Sequence, residues 1–412
     1  MLNERKPIAV TEAIQRVCDH TVTGETEYVA LSESYQRVLA KDILADHDVP
    51  AFDRSPYDGY ALRAQDTPQA NENNPSVLEI VGHIGAGSIY PNRLEEQQAV
   101  RIMTGAQVPT NADAVVMLED TEMFEEKGKR FVSVRKSLNR HDNISFRGED
   151  IKKGKVLVEK GTVINPGITA LLATFGYADV PVTKKPVIGV IATGSELLEV
   201  DQPLEPGKIR NSNAYMIMAQ IKRAGAIPKY FGQLTDDLPE SLEKMTEVIK
   251  EVDFLITTGG VSVGDFDLLP EIYQEMQANV LFNKIAMRPG SVTTVATLKD
   301  QILFGLSGNP SACYVGFELF TKPIIDSYLG KKAIGNQKKH AKLAVVISKD
   351  NPFDRFMRGT YSIEHGELSV RPAGKDKSNM VHSLAAANCL IQLPGGSNGY
   401  VKGSQVIIHI LE

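Results

Sequence analysis

"VDFLITTGGVSVGDFDLLPE" (residues 252–271) runs from a short apolar stretch into three glycines, a serine and two aspartates, and then into an amphipathic segment. An apolar run of this length bounded by turn residues reads as a strand buried on both faces. The glycines beyond it give the backbone freedom to come close to a ligand. The same order recurs in "PVIGVIATGSEL" (186–197), "PKYFGQLTDD" (228–237) and "QILFGLSGNPS" (301–311). Between these runs the spacing predicts helices. One covers 213–224, with Ile217 and Ile221 four apart, and another carries Leu238, Leu242, Met245 and Ile249 on one face. Two more are predicted in "LLPEIYQEMQA" (268–278) and in the closing stretch 309–330. "VLFNKIAMRPG" (280–290) reads as a further strand. Strands alternating with helices predict βαβ units and a parallel sheet covered on both faces.

In such a sheet, ligands bind beyond the carboxyl ends of the strands. The residues there are Thr193 to Glu196, Thr235 to Asp237, Thr257 to Asp267, and Ser307 to Ser311. Glycines such as Gly259 and Gly260, and small hydroxyls such as Ser262, let backbone N–H groups face an anion. The carboxylates Glu196, Asp236 and Asp267 can hold Mg²⁺, which bridges to phosphate. Lys284 and Arg288, in "NKIAMRPG" (283–290), can neutralise the remaining charge. The combination predicts a phosphate-bearing ligand with a hard divalent cation. Each residue also has a plainer reading: Glu196 as an acid in a helix's first turn, Asp236 and Asp267 as N-caps.

The remainder of the chain has a different texture. "VTEAIQRVCDH" (10–20) predicts a helix with Ala13, Ile14 and Val17 on one face and Thr11 as N-cap. "PAFDRSPYDGYALRA" (50–64) reads as loop then strand, and residues 77–135 as mostly β. The basic segment "KKAIGNQKKHAK" (331–342) reads as a connector, followed by about seventy residues of short β segments suited to a small barrel or sandwich. A chain of 412 residues exceeds one core, so two to four domains are expected. The net charge of −6 argues against a general nucleic-acid binder. Three widely spaced cysteines suit a reducing compartment. No apolar run approaches membrane-span length, and the start resembles no signal peptide, so a cytoplasmic location is expected.

Four phrases narrow the reading: "DRSPYDGYA" (53–61), "RIMTGAQVP" (101–109), "RGEDI" (147–151) and "GLSGNPSA" (305–312). In this order, with "TGSEL" and "GGVSVGDFD" between the last two, the chain closely resembles the molybdopterin molybdenumtransferase family, which includes the C-terminal domain of gephyrin. The resemblance implies insertion of molybdate into adenylylated molybdopterin with release of AMP, dependence on Mg²⁺, and a homodimer. A molybdopterin adenylyltransferase is an implied partner; nucleic acid and membrane are not. It also implies an α/β multidomain fold. Residues 1–50 and 142–185 would form a discontinuous domain, 51–141 a β-rich insert, 186–330 the α/β molybdopterin-binding domain and 336–412 a C-terminal β domain.

Carried over by motif, the catalytic positions are Asp58, Thr104, Asp150, Glu196, Asp236 and Asp267, the last three also holding the metal. Lys284, Arg288, Pro310, Arg358 and Ser378 match substrate-binding positions, beside Gly259, Gly260 and Ser262. Asp58, Asp150 and Thr104 read equally as turn residues, and Arg358 equally as half of a surface ion pair. The chain departs from the family pattern at Tyr57, Ser195, Arg288, Ser291 and Ser307. The alternatives are an adenylyltransferase-like nucleotide enzyme on the same core and a gephyrin-like scaffold.

Overall fold

In the computed structural model, which describes residues 5–261, 268–350, 352–364 and 366–411, the chain divides into two units. The first comprises Met1–Lys41, Lys160–Thr169 and Ala178–Glu412; the second comprises Asp42–Glu159 and Ala170–Tyr177.

The first unit is built on a six-stranded sheet: β1 (Val187–Thr193), β2 (Ile227–Leu234), β3 (Phe254–Thr258), β4 (Asn279–Phe282), β5 (Thr294–Leu298) and β6 (Gln301–Leu306). Its spatial order is β2-β1-β3-β6-β5-β4. The first four are mutually parallel, as expected, but β5 runs antiparallel to both neighbours. The sheet is therefore mixed. β5 and β6 form a hairpin through Lys299, a residue at positive φ, which the strand–helix alternation did not reveal. The predicted strand 280–290 also divides. Its end, Met287–Arg288, leaves the sheet and pairs in parallel with Asp354 and Arg355.

Side chains alternate across this sheet with the two-residue period of a strand. Ile188, Val190, Phe254, Ile256, Ile302 and Phe304 face one core, shared with α1 (Asn213–Ala224) and the helical stretch 310–328. Ile191, Leu255 and Leu303 face the other, shared with α2 (Leu238–Val248) and α3 (Leu269–Glu275). α1 buries Ala214, Ile217, Ile221 and Ala224 and stops at Gly225, whose φ of 99° closes the helix with N–H donation to the Lys222 carbonyl. The N-terminal helix Val10–Cys18 packs on the first core through Val10, Ala13 and Val17; it starts after Ala9, so Thr11 is not its cap.

The closing stretch is two helices, α4 (Pro310–Gly316) and α5 (Lys322–Tyr328), joined by a π-helical turn over Phe317–Thr321. Two buried carboxylates on it fasten the basic connector. Glu318 accepts from Gln220, Arg223 and Asn336. Asp326 is fully buried and binds Lys322 (2.7 Å), Lys331 (2.6 Å) and the Gly335 N–H (3.0 Å). The connector is thus partly anchored rather than a solvated linker. Beyond it, β7 (Lys338–Leu343), β8 (Asp354–Glu364), β9 (Glu367–Pro372), β10 (Cys389–Leu393) and β11 (Gln405–Ile410) close into a five-stranded barrel, β8-β9-β7-β11-β10-β8. Closure removes the free edges that an open sheet would present.

The second unit holds a six-stranded sheet ordered Ala114–Met117, Gly59–Leu62, Gln98–Ile102, Ser76–Ile84, Lys129–Val134 and Thr121–Glu126. Gly59 is required where two strands press together: a Cβ there would lie 1.9 Å from the Val116 carbonyl oxygen.

Removing the Asp326 carboxylate would leave two lysines without their buried counter-charge. Asp326→Ala is expected to cost about 3–5 kcal/mol and Asp326→Asn less, measured as the fall in the urea midpoint by circular dichroism.

Candidate functional site

Parallel register brings the strand ends to one level. Ala192 pairs with Thr258, and Thr258 with Leu306. Two cross-links extend the alignment past the strands: the Gly259 N–H donates to the Leu306 carbonyl (2.8 Å), and the Thr193 hydroxyl to the Thr258 carbonyl (3.3 Å). Gly259 has a φ of 105°, and a Cβ on it would lie 2.5 Å from Thr193 Oγ1. Gly194, with a φ of 129°, leaves room for the Glu196 carboxylate, which a Cβ would meet at 2.3 Å. These glycines are fixed by close approach and by backbone conformation.

The loops so aligned enclose a cavity of about 920 Å³. Glu196, Asp236, Gly259, Gly260 and Pro310 all line it. Asp236 is not an N-cap: that role falls to Asp237, whose carboxylate accepts from the Glu240 N–H at 2.9 Å. Glu196 precedes an extended pair, Leu197–Leu198, and is not a first-turn helical acid. Both carboxylates are exposed to the cavity side of the chain's surface. Ser262 and Asp267 lie outside the described residues. Among the described residues no three histidine, cysteine, aspartate or glutamate side chains gather as a ready-made metal cage. Two carboxylates nevertheless fit Mg²⁺, which is commonly held by one or two of them with substrate phosphate and water completing its shell.

A second cavity, of about 610 Å³, lies against the first and shares Val292, Ser307, Asn309 and Asn379 with it. It is basic. Arg288, Lys349, Arg355, Arg358 and Lys377 line it, against Asp350 and Asp376. Arg358 is only 3% exposed, so it is not a surface ion-pair residue. Its guanidinium donates to Asp376 (3.1 Å), to the Lys377 carbonyl (3.1 Å) and to the Ser383 hydroxyl (3.2 Å). Burial lowers its pKa from the ordinary arginine value and Asp376 opposes the shift. Arg355 binds the same aspartate, so Asp376 is gripped from two sides. The segment carrying Lys377, Ser378 and Asn379 is held at the cavity wall by these bonds and by the Ser311 N–H, which donates to the Ser378 carbonyl (3.0 Å). Lys284 lines neither cavity; its carbonyl accepts from the Ile8 N–H (3.1 Å). Lys349, Lys377 and Asp376 escaped sequence reading because barrel loops bring them to the sheet from up to ninety residues away.

The second unit carries Asp58, Thr104 and Asp150. Asp58 does not satisfy its own turn. One carboxylate oxygen accepts from both the Thr104 N–H (2.7 Å) and the Thr104 hydroxyl (2.8 Å), tying loops 46 residues apart. These bonds, the backbone one foremost, hold the Asp58 pKa below the usual carboxylate range. Asp150 is exposed, on a loop held by neighbouring aspartates. Asp48 accepts from the Lys153 N–H (2.8 Å) and Arg147 Nε (2.7 Å), and Asp53 from the Arg147 N–H (2.8 Å). Burial raises the thiol pKa of Cys18, Cys313 and Cys389 alike, so none is primed as a nucleophile.

Comparison with known proteins points one way along the whole chain. Residues 8–176 match the MoeA N-terminal region (domain I and II), 189–327 a probable molybdopterin binding domain, and 340–411 the MoeA C-terminal region (domain IV). The chain is 58% identical over its full length to the molybdopterin molybdenumtransferase of Bacillus subtilis (strain 168), covering 96% of that protein. It is 48% identical to the protein of the same name from Staphylococcus aureus (strain COL), covering 97% of it. A crystal structure of a molybdopterin biosynthesis moeA protein from Pyrococcus horikoshii OT3 superposes with a TM-score of 0.82 at 31% identity, over 98% of this chain and all of that one.

The bond pattern at Asp58 has a measurable consequence. Thr104→Val removes the hydroxyl donor and keeps the N–H. The Asp58 carboxyl should then titrate higher than in the wild type yet still below an ordinary aspartate, as read by carbon-13 NMR. A depressed carboxylate stabilises the fold above its unfolded pKa and loses that contribution as pH falls through the folded value. The stability difference between the two proteins should therefore be present near neutrality and vanish in acid.

Proposed function

The chain belongs to the molybdopterin molybdenumtransferase family and acts in molybdenum cofactor biosynthesis; we propose that it joins molybdate to adenylylated molybdopterin in the paired cavities, with Mg²⁺, and releases AMP. The observation that carries this reading is the shared wall: a cavity with carboxylates and glycine turns adjoins one rich in cations. A diphosphate with its metal suits the first, and a tetrahedral dianion suits the second.

Glu196 and Asp236 would hold the metal, with Asp267 as the third carboxylate expected from the sequence. When bound, Mg²⁺ supplies charge neutralisation for the phosphate oxygens. Gly259 and Gly260 allow the diphosphate to approach the backbone closely, and Pro310 and Asn309 shape the wall beyond it. In the second cavity Arg288, Lys349 and Lys377 are the exposed cations available to molybdate. Arg358 and Arg355 are engaged with Asp376 and act by fixing the Ser378 segment. The pterin's two dithiolene thiols would lie at the shared wall, where they can displace molybdate oxygens, which leave as water with the thiol protons, while water cleaves the diphosphate link to AMP and the pterin's own phosphate. The protein's contribution is positioning and electrostatic stabilisation rather than a covalent intermediate.

Asp58, Thr104 and Asp150 are kept as catalytic positions on the family resemblance, and that resemblance favours a homodimer as the working form. It also favours a molybdopterin adenylyltransferase as the supplier of substrate and the cytoplasm as location. No helix among the described residues is long and apolar enough to cross a membrane.

AMP release from adenylylated molybdopterin, followed with molybdate and Mg²⁺ present, tests the proposal. Chelation of the metal should stop release, and Glu196→Gln and Asp236→Asn should each lower the rate about a hundredfold. Arg288→Ala should raise the molybdate concentration needed for half-maximal rate by about tenfold. Full turnover in the chelated enzyme, or an unchanged molybdate requirement in Arg288→Ala, would remove the metal or the basic cavity from the reaction.

A further inference from the structure

Arg210 is the one cation among the described residues that line the carboxylate-bearing cavity. Its place there is built rather than incidental. The extended pair Ile209–Arg210 runs parallel to Leu197–Leu198, with Leu198 opposite Arg210. The Ile209 N–H donates to the Glu196 carbonyl (2.9 Å), and the Asn211 N–H to the Leu198 carbonyl (2.8 Å). Glu196 and Arg210 therefore enter the cavity from one ribbon.

The guanidinium is also held. Its Nε (3.3 Å) and Nη2 (3.1 Å) donate to the Gln202 carbonyl, while among the described residues Nη1 makes no hydrogen bond and no carboxylate pairs with it. Gln202 is held in turn. Its side-chain oxygen accepts from the Glu199 N–H (2.9 Å), and its own N–H donates to the Glu199 carbonyl (3.2 Å). The Glu199 carboxylate accepts from Tyr230 (2.8 Å) and Tyr215 (3.3 Å). Asn211, buried beside Arg210, donates to the Tyr230 hydroxyl (2.9 Å) and accepts from the Ala214 N–H (3.2 Å). Burial, reinforced by Glu199, raises both tyrosine pKa values, so both phenols stay protonated and donate. The chain of bonds runs from strand β2 and helix α1 to Nε and Nη2 of the guanidinium and, among the described residues, leaves Nη1 without a partner.

We propose that Arg210 binds the adenylate phosphate of the substrate in this cavity, and that Tyr230 and Tyr215 position it through Glu199 and Gln202. The assignment rests on the reading of the cavity given under Proposed function. A cavity lined by Glu196 and Asp236 repels a phosphate, and a metal held by those carboxylates is partly neutralised by them. A fixed guanidinium supplies directional donors for the remaining phosphate oxygens, which a flexible lysine would do less well.

AMP and adenosine are the probes, titrated calorimetrically into the full chain at fixed ionic strength. Wild type should bind AMP more tightly than adenosine. Arg210→Ala should weaken AMP by at least about tenfold and leave adenosine unchanged, and Arg210→Lys should restore part of the loss. Tyr230→Phe should weaken AMP by about fivefold, again sparing adenosine, with matching melting temperatures confirming intact folds. Unchanged AMP affinity in Arg210→Ala, or equal loss of AMP and adenosine, would overturn the assignment while leaving the function of the cavity standing. Unchanged AMP affinity in Tyr230→Phe would overturn the positioning role. Failure of wild type to bind either probe would overturn the adenylate reading of the cavity and this assignment together. Should Arg210→Ala not fold, the Arg210→Lys comparison decides: AMP bound as in wild type, with adenosine also unchanged, would count against a directional guanidinium.

Discussion

The register of three parallel strands is the constraint on which the rest of the first unit depends. β1, β3 and β6 end within a residue of one another because Ala192, Thr258 and Leu306 pair in sequence across the sheet. A slip of one residue would turn every core side chain to the opposite face, so two hydrophobic cores hold that alignment. The loops inherit it. Their glycines and carboxylates reach one rim because the strands beneath them stop level, and the Gly259–Leu306 and Thr193–Thr258 bonds carry the alignment one step further.

Electrostatics then divides the rim. Among the described residues, the exposed acids Glu196 and Asp236 sit on one side with a single arginine, and on the other five cations face two aspartates. The barrel makes the second environment possible. Arg355 and Arg358 lie on β8, whose first residues pair with Met287 and Arg288 as that segment leaves the sheet. Two buried arginines on one strand would repel each other without a counter-ion, and Asp376 provides it. The same cluster fixes the neighbouring segment, because Arg358 also donates to the Lys375 and Lys377 carbonyls.

Much of this was legible in the sequence, and the parts that were not have physical causes. Apolar runs followed by glycine and acid exposed the four strand-end loops, and the Ile217–Ile221 spacing exposed helix α1 over its observed span. The β5–β6 hairpin was hidden because its turn uses Lys299 and Asp300 rather than a glycine pair. Asp237 was indistinguishable from Asp236 as a cap until backbone geometry separated them. Arg210 sits in an ordinary polar stretch; only its pairing with Leu198 brings it to Glu196. Asp58 looked like a turn residue because its partner, Thr104, is remote in sequence. Local patterns report local structure, whereas a site assembled from distant loops is visible only after folding.

The partition between the cavities has a genetic corollary. Val292, Ser307, Asn309 and Asn379 each line both cavities, so a substitution at any of them alters two chambers at once. Such positions are pleiotropic: their effects will not add to those of changes made deeper in either chamber. If the cavities take the oxyanion and the nucleotide as proposed, adaptation toward a different one of either would be steered away from the partition and toward residues that belong to one side alone.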